Sequence, residues 1–180
     1  MESELRRFTR AEYEKLTELG LFDDEKVELL NGLVFPMSPQ GDDHWSITSL
    51  IGNILTRALP VRYGVAMHSQ IWTSEDSAPE PDVVVFDRDA FPNTIPDQAL
   101  LVIEVSRQSL QRDRNVKLPL YARANVQEYW IVVLAKHVVE VYTEPRDGEY
   151  AQKKTLAIGD TLRPQFDPTI EIAMSTLPWA

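Results

Sequence analysis

The stretch that decides the fold is Pro81-Asp82-Val83-Val84-Val85-Phe86, together with its partner Leu100-Leu101-Val102-Ile103-Glu104-Val105. Each run is short and almost wholly apolar, which is typical of a strand buried on both faces of a sheet. Each run also carries one carboxylate. An isolated carboxylate in an apolar interior is costly, so it takes up a proton or finds a cation. Two acids on adjacent strands therefore predict a shared cation.

The segment that follows the second strand predicts a helix over residues 109–124. In such a helix Asp113 and Lys117 stand one turn apart on the same face. We therefore expect Asp82, Glu104 and Lys117 to form the functional site. The alternative for Lys117 is a surface lysine that pairs with Asp113.

Two further side chains, Glu28 and His44, are secondary candidates. Asn31-Gly32 between two apolar runs predicts a β-hairpin, and Glu28 lies on its first strand. A solvent-facing strand residue is the alternative for Glu28. Asp43 can cap an amphipathic helix that Pro60 ends, and His44 lies in the first turn of this helix. A surface or hydrogen-bonding histidine is the alternative there.

The remaining pattern completes an α/β fold. Thr9 begins a capping box at the start of a short N-terminal helix. Alternation of apolar and polar residues predicts a strand over residues 65–72. Pro119 lacks a backbone donor and predicts a kink or split in the helix over 109–124. The segments Glu128–Leu134 and His137–Tyr142 are typical of an antiparallel pair of strands, which we place at the edge of the sheet.

The composition indicates one domain over residues 1–180. With 43% hydrophobic residues the chain can bury a real core. The absence of cysteine excludes disulfides and thiolate sites. No apolar run is long enough to span a membrane, and the N-terminus lacks the apolar core of a secretion signal. We therefore expect a cytoplasmic protein without a membrane partner.

The charge of the chain is unevenly distributed. A net charge of −10 argues against broad, non-specific binding to a polyanion. Bases nevertheless outnumber acids beside the candidate site, at Arg107, Arg112, Arg114, Lys117 and Arg123. An ordinary solvated helix is the alternative explanation for these charges.

Paired carboxylates with a lysine nearby suit metal-dependent hydrolysis at phosphorus. Hard oxygen ligands select Mg²⁺, and the metal lowers the pKa of bound water. A lysine offsets the charge that develops on the phosphate. From spacing alone the pattern is weak, because acids and lysines are common.

Several motifs strengthen this interpretation by their order and spacing. They are Pro81-Asp82, Leu101-Val102-Ile103-Glu104-Val105-Ser106, Asp113-Arg114 with Lys117, Tyr121-Ala122-Arg123-Ala124, and Glu128-Tyr129-Trp130. This combination resembles the Uma2 family, which is placed among the PD-(D/E)XK nuclease-like proteins. The similarity runs from the hairpin at Glu28 through His44 to Trp130, and so covers most of the chain.

The resemblance implies a restriction-endonuclease-like fold: a mixed central β-sheet flanked by helices, with an N-terminal helix and a β-hairpin added. It implies an endonuclease that depends on Mg²⁺ or Mn²⁺ and acts on DNA. Asp82 and Glu104 would hold the metal, and Lys117 would position the attacking water. Glu28 and His44 would serve a second metal or orient the first ligands.

The sequence departs from the family pattern at several positions. The nuclease pattern has Glu-x-Lys on the second strand, and here Ser106 stands in place of the lysine. The resemblance implies that the lysine has migrated to Lys117 on the following helix. Arg107, Asn125 and Val133 also differ from residues common among relatives, and none of them is a proposed ligand.

The alternative function is a non-catalytic module that binds nucleic acid or protein. The oligomeric state, a homodimer included, is left open.

Overall fold

The computed structural model describes residues 5–37 and 39–179 as a mixed α/β structure. The helices are α1 (Arg10–Glu18), α2 (Asp42–Ala58), α3 (Leu110–Arg112) and α4 (Leu118–Arg123), and a π-helical turn, Asp113–Lys117, joins α3 to α4. The strands are β1 (Val27–Leu30), β2 (Leu33–Pro36), β3 (Tyr63–Met67), β4 (Val83–Asp87), β5 (Leu101–Ser106), β6 (Glu128–Val133), β7 (Val138–Arg146), β8 (Glu149–Leu156), β9 (Thr161–Leu162) and β10 (Ile172–Ala173). Single 3₁₀ turns cover Leu134–Lys136 and Met174–Thr176.

The centre of the fold is a six-stranded sheet in the order β3-β4-β5-β6-β7-β8. Neighbouring strands are antiparallel except β5 and β6, which are parallel and are joined by the segment that contains α3 and α4. The mixed sheet predicted from the sequence is therefore confirmed. The placement of this strand pair at the edge was wrong, because β6 lies between β5 and β7, and β7 lies between β6 and β8.

The two apolar runs with one carboxylate each pair as predicted. Strand β4 is antiparallel to β5, with Val83 opposite Ile103 and Val85 opposite Leu101. All residues of β5 are buried. Alternate residues of a strand point to opposite faces, so β4 contributes to both layers of the core. Val83 and Val85 pack on the α2 side, and Val84 packs on the α4 side.

Two local predictions are confirmed and two are wrong. Thr9 forms its capping box, and Asn31-Gly32 forms the hairpin turn with positive φ at both residues. Helix α2, however, begins at Asp42 with Gly41 as its cap, because Asp43 instead turns to Arg107 and to the N–H of His44. The strand predicted over residues 65–72 ends at Met67, since the next residue has a left-handed φ.

Among the described residues, no helix is both long enough and apolar enough to cross a lipid bilayer.

Candidate active site

A cavity of about 100 Å³ lies at one end of β5. Its wall contains all of the side chains that the sequence put forward, namely Glu28, His44, Asp82, Glu104 and Lys117. These residues come from five separate stretches of the chain. The structure thus brings the whole predicted set together in one cavity.

Asp82 lies immediately before β4, where the register of β4 with β5 extends to place it opposite Glu104. Its Oδ2 accepts hydrogen bonds from the backbone N–H of Val105 at 2.7 Å and from His44 Nε2 at 3.1 Å. Its Oδ1 has longer contacts, with Gln40 Nε2 and His68 Nδ1, both at 3.4 Å. Burial would raise the pKa of Asp82, but the two histidines and Val105 outweigh it and lower the pKa to about 2. Asp82 is therefore ionised at neutral pH.

Glu104 is a buried acid on β5 among other acids. Its Oε1 accepts hydrogen bonds from Lys117 Nζ at 2.9 Å and from Tyr121 Oη at 2.8 Å. Burial raises the pKa of Glu104 well above its ordinary value, and Lys117 opposes that rise. The nearby carboxylates of Asp113, Asp82 and Glu28 raise the pKa further. The cations near Glu104 therefore do not balance the negative charge of its ionised carboxylate and of the neighbouring acids.

Lys117 is buried and bridges two glutamates. Its Nζ lies 2.9 Å from Glu104 Oε1 and 2.9 Å from Glu28 Oε2, and its side chain is 5% exposed. Burial would lower the pKa of Lys117, but the carboxylates of Glu104, Glu28 and Asp113 raise it above the ordinary value. The alternative of a surface lysine paired with Asp113 is wrong, and Lys117 is charged.

The helix that carries Lys117 is split, as Pro119 predicts. The N–H of Leu118 donates to the carbonyl of Asp113, which is a π-helical spacing, and α4 begins at Leu118 with Pro119 in its first turn. Proline cannot donate to Asn115, so an α-helical ladder is broken at this point. The wider turn buries both Asp113 and Lys117. The predicted split is thus confirmed, and it takes the form of a π-helical turn in the wall of the cavity.

Glu28 and His44 each contact another candidate residue of the site. The Glu28 side chain is 2% exposed and lies 3.6 Å from Arg112 as well as 2.9 Å from Lys117, so the alternative of a solvent-facing residue is wrong. His44 Nε2 bonds Asp82, as the hydrogen-bonding alternative expects. The side chain of His44 also stacks on His68, with ring centroids 6.3 Å apart.

Several residues of the site escaped the sequence analysis. His68 and Gln40 contact Asp82, and Tyr121 contacts Glu104. Tyr121 was visible as part of a family motif, but nothing in the sequence connects it to Glu104. His68 lay inside a pattern that indicated a strand, and its contact depends on the left-handed turn that ends β3. The sequence showed Arg112 only as a basic residue beside the candidate site and did not indicate its contact with Glu28 on the hairpin.

The donors around the cavity fit a hard divalent cation. Among the residues that line it, the buried acids Glu28, Asp82, Glu104 and Asp113 outnumber the cationic side chains Lys117, Arg112 and Arg107. Within the described residues both hydrogen bonds to Glu104 end on Oε1, so Oε2 keeps its lone pairs for a cation. No group of three or more His, Asp or Glu side chains there is arranged to hold a metal. Mg²⁺ commonly takes one or two carboxylates and completes its shell with water and phosphate oxygens. Two carboxylates therefore suffice.

The fold and the site define a restriction-endonuclease-like α/β protein, a class that the comparisons with known proteins bear out. The chain belongs to the Uma2 family, whose sequence profile, described as "Putative restriction endonuclease", matches residues 10–175.

Two solved structures are similar to this chain. The first is described as a "putative nuclease belonging to DUF820" from Anabaena variabilis; it has a TM-score of 0.74 and 17% identity, with 94% of this chain and 97% of that chain covered. This likeness supports the restriction-endonuclease-like fold. The second is the type IIG restriction endonuclease BpuSI, with a TM-score of 0.46 and 22% identity over 73% of this chain and 16% of that chain, too low to support an argument. Among curated proteins nothing matches.

Proposed function

We propose that this protein is an endonuclease that depends on Mg²⁺ or Mn²⁺ and hydrolyses phosphodiester bonds of DNA. The observation that carries the proposal is the buried ammonium of Lys117, which is bonded to Glu104 in the wall of the same cavity as ionised Asp82. A lysine that only stabilised the fold would not need a cavity with an excess of acids. Membership of a family described as "Putative restriction endonuclease" supports the same reaction class.

In this proposal Asp82 and Glu104 hold the metal. When bound, the ion lowers the pKa of a water molecule and withdraws charge from the phosphate. Lys117 donates two of its N–H groups to Glu28 and Glu104, and its third can reach a water or a phosphoryl oxygen. Lys117 thus positions the attacking water and offsets the charge that develops on the phosphate.

Glu28 and His44 take supporting parts. Glu28 fixes the ammonium of Lys117 from the hairpin side, while His44 and the N–H of Val105 fix one oxygen of Asp82. Such partners orient ligands and often matter nearly as much as the ligands themselves. His44 is the closer of the two histidines to Asp82. A homodimer stays a prediction.

A second candidate is a non-catalytic module that binds nucleic acid or protein with the same fold. The net charge of −10 favours it, because a nuclease must attract a polyanion. Basic side chains at the cavity counter this objection locally, since Arg107 and Arg112 both line it. The two candidates differ in whether phosphodiester bonds are broken.

Nicking of supercoiled plasmid DNA by the purified protein separates them. We expect nicked circles with Mg²⁺ or Mn²⁺ and none with a chelator. The Glu104→Gln variant should lose the activity, whereas Glu140→Gln, the same change at a buried glutamate outside the cavity, should keep it. Intact plasmid with the wild-type protein under all divalent ions, or equal nicking by Glu104→Gln, would exclude the proposed mechanism.

A further inference from the structure

Asp113 is a buried carboxylate that the proposed mechanism does not use. It begins the π-helical turn, is 1% exposed, and belongs to the wall of the cavity. Its Oδ2 accepts hydrogen bonds from two hydroxyls, those of Ser106 and Ser109, the second at 2.7 Å. Its Oδ1 is equally buried and accepts no hydrogen bond from residues 5–37 or 39–179. One oxygen is thus anchored and the other is open.

A buried acceptor without a hydrogen bond from the described residues, such as Asp113 Oδ1, destabilises the folded protein. Buried polar groups are nearly always paired in native proteins. A water molecule resolves such a cost only where it finds two or more polar partners. Lys117 stands four residues on in the same turn and has an N–H beyond the two that it gives to Glu28 and Glu104. The donor and the acceptor that a water needs are both present.

We propose that Asp113 Oδ1 and the third N–H of Lys117 together hold the water that attacks phosphorus, so that Asp113 is a further catalytic residue. The inference rests on the proposed function, and it adds Asp113 as a second contact of the attacking water. Lys117 donates to the oxygen of that water, and Asp113 accepts one of its hydrogens. A water held from both sides presents a lone pair in one direction, which a single contact to lysine does not achieve.

The same geometry gives Ser106 a purpose. Ser106 stands where the family pattern has its lysine, at the end of β5 and two residues after Glu104. Its hydroxyl fixes Asp113, the first residue of the π turn, while Glu104 fixes Lys117, the last residue. Both ends of the turn are therefore anchored to one strand. Asp113 and Lys117 keep a constant separation as a result.

The test is the Asp113→Asn variant. Because the serine hydroxyls donate to Oδ2, they select the amide oxygen, and the amide N–H₂ then takes the place of Oδ1, the acceptor that is unpaired among the described residues. We expect kcat for plasmid nicking to fall by about 10²-fold with little change in KM, because a contact to the attacking water is lost and DNA binding is not. Glu140→Gln is the matched control and should keep the wild-type kcat. The Mn²⁺ concentration for half-maximal thermal stabilisation should be unchanged.

A crystal structure of the wild-type protein supplies a second readout, which does not depend on turnover or on the folding of a variant. An ordered solvent molecule within hydrogen-bond distance of both Asp113 Oδ1 and Lys117 Nζ supports the inference. No ordered solvent at Asp113 Oδ1 overturns it, as does an Asp113→Asn protein with wild-type kcat. If the wild-type protein nicks DNA and either of these results is found, the proposed function stands and the role of Asp113 falls.

Discussion

Two glutamates of the central sheet stand in one row and behave in opposite ways. Glu104 on β5 is opposite Ile131 on β6, which in turn is opposite Glu140 on β7. Each glutamate accepts hydrogen bonds from a lysine and a tyrosine, and the side chain of each is 7% exposed. Both are also tied to the π turn, Glu104 through Lys117 and Glu140 through Arg114.

Their pKa values nevertheless shift in opposite directions. Burial would raise the pKa of Glu140, but hydrogen bonds from Arg114, Tyr142 and Lys153 outweigh it and lower the pKa to about 2. At Glu104 burial raises the pKa, and the neighbouring acids add to burial. Glu140 thus has two cations for one carboxylate. Glu104 shares one lysine with Glu28.

The difference separates a structural ion cluster from a candidate active site. Around Glu140 every charge finds a partner, so the cluster needs nothing further and stabilises the fold. Around Glu104 acids are in excess, an arrangement that costs stability and is typical of sites that bind a cation. Similar exposure and similar partners therefore do not decide the role of a residue. The balance of charge around it does.

The largest expected effect contrasts the two cations of the π turn. Lys117→Met removes the charge from the cavity, and we expect the nicking rate to fall by about 10²–10³-fold, the usual cost of losing a group that stabilises transition-state charge. Arg114→Met removes a cation from Glu140 and should leave the rate unchanged. Both variants are checked for folding by circular dichroism before the assay.

The raised pKa of Glu104 bears on the Lys117 variant, because that carboxyl can take up a proton when its cation is lost. The loss of stability should therefore be smaller than for a permanently charged acid. A Lys117→Met protein that nicks plasmid at the wild-type rate would make Lys117 a structural residue like Arg114.

Divalent ions should stabilise one cluster and not the other. A ligand that binds only the folded protein raises its free energy of unfolding, by about 2.7 kcal/mol at a hundredfold excess over Kd. We expect Mn²⁺ or Mg²⁺ to raise the melting temperature of the wild-type protein and of Glu140→Gln. The rise should shrink in Asp82→Asn, which loses a charged ligand. A melting temperature that does not respond to either ion would argue against a metal at Glu104.

Much of the fold, and the convergence of the candidate side chains on one cavity, could be predicted from the sequence. The uninterrupted apolar runs determine β4 and β5, and Asn31-Gly32 determines the hairpin. Two acids on adjacent strands are expected to converge, and the observed register places Asp82 opposite Glu104. Each of these rests on residues close together in the chain or on the period of a strand.

The rest depends on contacts between distant parts of the chain. The π turn follows from anchoring by Ser106 and Glu104 as much as from Pro119, and neither anchor is visible in helical periodicity. The burial of Lys117 needs Glu28 from the first hairpin. The contact of His68 with Asp82 needs a left-handed residue that ends β3. Local patterns carry no information about any of these.

The smallest expected effect is the dependence of stability on pH, which should have opposite signs at the two glutamates. Glu140 has an ordinary pKa of 4.5 and a pKa of about 2 in the folded protein. Its charged interactions therefore stabilise the fold above pH 4.5 and are lost as the pH falls through about 2. We expect Glu140→Gln to be less stable than the wild type by about 1 kcal/mol at pH 7, since Arg114 and Lys153 are partly exposed and screened. The difference should vanish near pH 2.

Glu104 should show the reverse. Its pKa is raised in the folded protein, so the folded state holds a proton that the unfolded chain has released above pH 4.5. Stability therefore falls as the pH rises above that value. Glu104→Gln removes this dependence and should gain on the wild type between pH 4.5 and pH 7. Urea unfolding without divalent ions measures both variants and the wild type from pH 2 to pH 7. If both amide variants instead lose stability relative to the wild type as the pH rises from 2 to 4.5, Glu104 is a balanced structural acid like Glu140, and the excess of negative charge that supports a metal site does not exist.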